Sequence, residues 1–267
     1  MITGFIGLGS QGGPMAVRML AAGFPLTVWA RRQEALEPFI AQGASTASSI
    51  TELAVSCDHI GICVVDDAGV AAICDELIPA MRPGSLLAIH STVLPESCEA
   101  LEARCAKHGV LFLDAPVSGG GPAAAAGTLT VMCGGSAEAF ALGQPVFESF
   151  GQMIALLGPA GSGQRAKIVN NTLMAANMGL AHAALASGEA LGIDRAALAD
   201  LIKASSGRSF GFEVYARLPS PAAFSLGAPL LAKDTNLLGA ILPDNAGAKA
   251  LRAAAEPFLT EATGKPL

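Results

Sequence analysis

The chain has 267 residues, 52% apolar and only 14% charged, with a net charge of −6 at neutral pH. That length can bury one large core or two moderate ones. The acidic balance argues against a nucleic-acid partner, which needs a basic face.

The six cysteines are scattered with no CxxC or Cys/His spacing, so free thiols in a cytoplasmic protein are expected, with no metal site. Met1 leads straight into an apolar run, and no leader is expected. That run, residues 2–6, predicts a strand. Gly7-Leu8-Gly9-Ser10-Gln11-Gly12 follows it, and a helix is predicted over 14–22. Strand, glycine turn and helix start in this order are the fingerprint of a dinucleotide-binding βαβ unit. The first glycine makes the turn, the second admits the pyrophosphate, and the third lets helix and strand pack closely. The helix start adds unpaired N–H groups and a positive dipole end.

The second strand, predicted over 26–29, ends in Ala30-Arg31-Arg32 where NAD-binding units usually carry an acid for the ribose hydroxyls. Two guanidinium groups suit a 2′-phosphate instead, so NADP(H) is favoured over NAD(H). Further strands are predicted over 59–65, 85–89 and 110–113, alternating with helices over 33–42, 69–81 and 95–108. Val64 and Val65, at the end of the 59–65 run, are counted among the cofactor contacts. The alternation predicts an α/β class with an N-terminal Rossmann doubly wound sheet. Strands over 128–133 and 153–157, flanking a helix over 137–150, extend it.

Past Gly158 no strand pattern is found. A boundary near residue 160 divides the chain into a nucleotide-binding domain, 1–160, and an all-α domain, 161–267, built on a long interdomain helix over 163–191. Residues 168–188 carry no Asp, Glu, Lys or Arg, nearly the length that spans a bilayer. They also contain Asn170, Asn171, Asn177 and His182, which are costly in lipid, so a buried helix and no membrane contact are expected.

Three segments carry candidate chemistry. Asp114-Ala115-Pro116-Val117-Ser118-Gly119-Gly120 follows a predicted strand, where the backbone of Gly119 and Gly120 and the hydroxyl of Ser118 suit a carboxylate. Lys167 and Asn171 lie one turn apart on the long helix, and Lys167 is the only Lys or Arg between Arg165 and Arg195. Lys233-Asp234 is a second polar insertion in an apolar stretch.

In these motifs the chain resembles the β-hydroxyacid dehydrogenases. The resemblance is carried by Gly4-Phe5-Ile6-Gly7-Leu8-Gly9 through Gly13-Pro14-Met15-Ala16, by Asp114–Gly120, by Gly161-Ser162-Gly163 with Lys167 and Asn171, and by Lys233-Asp234. It implies reversible, NAD(P)-dependent oxidation of a small 3-hydroxy acid to its semialdehyde or keto form, and a homodimer or homotetramer. It implies Lys167 as general acid/base, Asn171, Ser118, Gly119 and Gly120 on the substrate, Ser91 and Thr92 lining the nicotinamide, and Lys233 reaching over cofactor and substrate. The chain departs from the family at Gln11 and Arg18, both expected to flank the cofactor. An imine reductase-like NADPH reductase shares the architecture but usually lacks the lysine. A 6-phosphogluconate dehydrogenase needs a larger helical domain, and a non-catalytic NADP-binding module has no use for Lys167, Asn171 and Ser118 together.

Overall fold

The computed structural model describes all 267 residues, 1–267, and the chain forms two compact units, 1–167 and 168–267. The first contains β1 (Thr3–Ile6), α1 (Gly12–Ala21), β2 (Leu26–Trp29), α2 (Glu37–Ile40), β3 (Ser45–Thr46), α3 (Ile50–Ser56), β4 (His59–Ile62) and α4 (Asp67–Ala80). It continues with β5 (Leu86–Ile89), α5 (Pro95–Lys107), β6 (Leu111–Asp114), β7 (Val117–Ser118), α6 (Gly120–Ala126), β8 (Leu129–Gly135), α7 (Ala137–Phe147) and β9 (Gly151–Leu156).

The strands form one sheet in the order β3-β2-β1-β4-β5-β6-β8-β7, with β9 paired to β8. Pairings from β3 across to β6 are all parallel. Strands β1, β4 and β5 are buried at every position, as continuous apolar runs in a sheet covered on both faces must be. Alternate side chains go to opposite faces. Phe5 joins Met15, Val28 and Phe147 in one core, while Ile6 joins Leu53, Ile62 and Leu77 in the other. The strand order reverses between β1 and β4, and ligands of such sheets bind at the carboxyl ends beside that switch point. Ile6 pairs with Ile62, so the glycine turn and the segment after β4 leave the sheet side by side.

Several boundaries differ from expectation. The 59–65 run is a strand only to Ile62, so Val64 and Val65 lie in the connection beyond it. The helix expected over 33–42 breaks into a 3₁₀ turn at Gln33–Ala35 and the short α2, whose first turn contains Pro38. Proline fits there because its missing N–H would be unpaired anyway. α3 was not expected, yet its start is coded: Ser49 accepts from the Glu52 amide while Glu52 reaches back to the Ser48 N–H. Beyond β6 the parallel rule lapses, because β8 runs antiparallel to both β6 and β7.

The long helix α8 (Ser162–Ala190) starts in the first unit and continues in the second, which adds α9 (Arg195–Lys203), α10 (Phe210–Ala216), α11 (Ala228–Ile241) and α12 (Ala246–Thr263). No helix is long and apolar enough to cross a membrane. The uncharged stretch of α8 instead buries Ala175, Met178 and Leu185 in a core with Phe212, Tyr215 and Phe258. Small residues bring the helices close: a Cβ on Gly179 would overlap the Ala254 carbonyl oxygen.

Candidate active site

The glycine turn separates what the fold needs from what it does not. Gly7 has φ +97°, and a Cβ there would overlap the Cys63 carbonyl oxygen; one on Gly12 would overlap the Gly7 carbonyl oxygen. Gly9 faces open space, with nothing within 4 Å of where its Cβ would lie. Packing therefore explains the first and third glycines, and the second leaves room for a ligand to meet the backbone. α1 begins at Gly12 with no side-chain cap and no acid in its first turn, so its positive end is available to an anion. A cleared backbone and an uncapped helix start fit the pyrophosphate of a dinucleotide. Arg31 and Arg32 follow β2 as exposed side chains.

Arg18 serves the protein itself. Its Nε donates to the Ser149 carbonyl at 2.9 Å, and its guanidinium lies against Gly127 at the end of α6. It also lines a cleft with Leu8, Gly9, Gly13 and Pro14, beside the glycine turn.

At the ends of β4 and β5, the Val64 amide donates to Ser91 Oγ at 2.8 Å. Ser91 is buried, Thr92 half-buried and Val65 exposed. Ser118 ends β7, paired with Thr130. Gly119, at φ +130°, turns the chain into α6, and a Cβ on Gly121 would come within 2.6 Å of the Ser10 carbonyl oxygen. The Ser118–Gly120 loop and the glycine turn, far apart in sequence, are thus neighbours.

Lys167 is buried to 8% exposure in the second turn of α8. Burial pushes the Cys63 thiol, at the end of β4, up to about 11, and the Lys167 charge pulls it back down. Lys167 sits on the helix whose first turn meets the end of β6. What holds that helix start at the carboxyl end of the sheet is Asp114, the last residue of β6. Its Oδ1 accepts from the Gly161 amide at 2.7 Å and its Oδ2 from the Gln164 amide at 2.8 Å. Gly134 and Gly163 make room for the carboxylate, since a Cβ on either would collide with it. Burial raises its pKa to about 6, opposed by those backbone donors.

In the second unit, Asn171 Nδ2 donates to Asp234 Oδ2 at 2.6 Å. Asp234 is 2% exposed, and Lys233 Nζ stands 3.8 Å from its other oxygen. Three residues given no role from sequence therefore hold candidate groups in place: Asp114 and Gln164 at the start of α8 in the first unit, and Asp234 beside Asn171 in the second. Two lay inside motifs already singled out. Gln164 offered no signal, because burial alone distinguishes it.

The histidines stand apart from this chemistry. His90 donates through Nδ1 to the Ala115 carbonyl at 2.8 Å and stacks on Phe5 in the core. His182 meets the Tyr215 hydroxyl at 2.7 Å.

Residues 3–158 match the family described as the NAD binding domain of 6-phosphogluconate dehydrogenase, and residues 161–262 match the NAD-binding domain of NADP-dependent 3-hydroxyisobutyrate dehydrogenase. The chain is similar to the NAD-dependent L-serine dehydrogenase of Pseudomonas aeruginosa, 39% identical over 252 residues that cover 87% of this chain and 82% of that one. It is 38% identical over 214 residues to the L-threonate dehydrogenase of Cupriavidus necator, covering 79% and 72%. Among solved structures, the Mycobacterium tuberculosis 3-hydroxyisobutyrate dehydrogenase with L-serine is similar at a TM-score of 0.87 and 28% identity, covering 98% of this chain and 94% of that one.

Proposed function

The chain belongs to the β-hydroxyacid dehydrogenase family, and from that premise we propose that it is an NADP-dependent enzyme interconverting a small 3-hydroxy acid and its semialdehyde or keto form. The observation that carries the reading is a buried amine, Lys167, on a helix whose first turn is pinned by Asp114 to the carboxyl edge of the sheet.

The nicotinamide cofactor, when bound, supplies hydride transfer. Gly7, Leu8, Gly9, Ser10, Gln11 and Gly12 would hold its pyrophosphate, and Val64, Val65, Ser91, Thr92 and Lys233 would make up the rest of its binding residues. The Ser118 hydroxyl and the Gly119 and Gly120 amides hold the substrate carboxylate, and Asn171 binds the substrate beside Lys167. In the reducing direction the Lys167 ammonium donates a hydrogen bond to the carbonyl oxygen and then delivers the proton. In the oxidising direction the neutral amine removes it. A proton transfer positioned in this way contributes about 10²–10⁴-fold to rate.

Preference for NADP rests on Arg31 and Arg32, whose forked donors match a phosphate where an acid would repel it. The similar enzyme from P. aeruginosa uses NAD, so the preference is a claim about this chain's own residues. The proposed protein is a cytoplasmic homodimer or homotetramer.

Rates of NADP and NAD reduction on L-serine, L-threonate and 3-hydroxyisobutyrate, for the wild type, Arg31→Asp and Lys167→Ala, test the reading. The wild type is expected to favour NADP, and Arg31→Asp to move that preference toward NAD. Lys167→Ala should lose about 10²–10⁴-fold in kcat. Full turnover by Lys167→Ala would sink the mechanism, and an unmoved preference in Arg31→Asp would sink the cofactor assignment.

A further inference from the structure

Gln164 is wholly buried and uses both ends of its carboxamide on one short segment. Oε1 accepts from the Val93 amide at 3.1 Å, and Nε2 donates to the Ser91 carbonyl at 2.9 Å. Its own amide donates to Asp114, while Ser91 Oγ accepts from the Val64 amide. The Gln164 side chain therefore joins the first turn of α8 to the segment after β5, its main-chain amide ties the same turn to the end of β6, and Ser91 links that segment to the end of β4. Methionine would fill nearly the same volume, so packing does not call for an amide here. A donor and an acceptor on one planar group set both the distance and the rotation of the segment they grip. Lys167 follows three residues later, about 4.5 Å along the axis on the same side of the helix.

We infer that Gln164 is a positioning residue for proton transfer: its carboxamide holds the Ser91–Val93 segment at a fixed offset from the helical turn that carries Lys167. This rests on the reading above, in which Ser91 and Thr92 line the nicotinamide and Lys167 moves the proton. A small displacement between those two groups costs rate, because transfer needs near-contact geometry; about 1 Å of misplacement can cost on the order of 10²-fold.

Two substitutions separate this role from simple packing. Gln164→Met keeps the volume and removes both hydrogen bonds. Gln164→Glu restores both whenever the introduced carboxyl is protonated, since the neutral acid has one donor and one acceptor. Once ionised it has no donor for the Ser91 carbonyl. The readouts are kcat, KM for the hydroxy acid and cofactor Kd between about pH 5 and 9, each as a ratio to wild type at the same pH.

Gln164→Met is expected to lose about 10–100-fold in kcat at every pH, with KM and Kd within about threefold of wild type. Gln164→Glu is expected to stay within about threefold of wild type wherever burial keeps its carboxyl protonated, and to lose kcat only where that carboxyl ionises as pH rises. A kcat for Gln164→Met within about twofold of wild type, or a Gln164→Glu kcat as low as that of Gln164→Met at every pH, overturns the assignment. If the wild type itself oxidises none of the hydroxy acids, the functional reading has failed separately. The brace is then decided by amide hydrogen exchange at Val93. Exchange about tenfold faster in Gln164→Met supports it, and unchanged protection overturns it.

Discussion

Asp114 and Asp234 are buried carboxylates, one in each compact unit, and they are satisfied in opposite ways. Asp114 receives two backbone amides from the start of α8. Asp234 receives the side-chain amide of Asn171 and stands 3.8 Å from the Lys233 ammonium. Main-chain donors cannot turn away when their acceptor is lost, whereas the half-buried Asn171 can rotate toward water. A carboxylate that caps a helix start therefore fixes where the helix lies, and one that grips a side chain fixes only where that group points.

The contrast predicts unequal costs. Asp114→Ala strands two buried N–H groups, and the expected loss is about 2–5 kcal/mol of unfolding free energy by denaturant titration. A loss below about 1 kcal/mol would mean that the helix start is held by something else.

The next largest effect is with pH, and it too belongs to the first unit. Burial pushes His59 down to about 3, with the neighbouring His90 adding to it, and burial takes His90 itself to about 4. Both ring nitrogens of His59 are buried without a hydrogen-bond partner, and its ring packs edge-on against Phe147. A histidine with a depressed folded pKa contributes stability that is present above the unfolded value of 6.5 and lost as pH falls. Asp114 works the other way. Its folded pKa lies above the ordinary 3.8, so it favours the folded state as pH drops from about 6. Two protons taken up by the unfolded histidines outweigh the one held by folded Asp114. From these groups stability should fall by about 1.4 kcal/mol per pH unit between roughly pH 6 and 4. His59→Phe removes one of the two and should leave that slope near zero; an unchanged slope would show that His59 is not the source.

The smallest effect is expected in the second unit. Asp234→Ala should cost no more than about 1 kcal/mol in stability, because Asn171 finds water. It should raise KM for the hydroxy acid, since the Asn171 amide is then no longer aimed. Equal losses for Asp114→Ala and Asp234→Ala would erase the distinction between a cap and a side-chain grip.

Much of the architecture was legible because it is written in local patterns. The glycine turn, the runs that became β1, β2, β4, β5 and β6, and the uncharged stretch of α8 each carry their periodicity or turn chemistry in a few adjacent residues. The two-residue strands β3 and β7 have no such signature, because pairing with neighbours distant in sequence creates them. The antiparallel turn at β8 was missed for the same reason, since strand direction is a property of partners. In the site, Lys167 stood out as a lone charge on an apolar helix, whereas Gln164 looks like any surface glutamine until its burial is known.

The amino-acid order by itself determined the dinucleotide-binding start, the change from alternating α/β to all-helical structure, and the residue types available for chemistry. These follow from turn geometry, hydrophobic periodicity and charge, all of which act between near neighbours. Only the tertiary structure decided that Asp114 caps α8, that Gln164 grips the segment after β5, and that the Ser118–Gly120 loop abuts the glycine turn. Those contacts join residues separated by 47 to 73 positions or more, and only chain folding brings their donors and acceptors within hydrogen-bond reach.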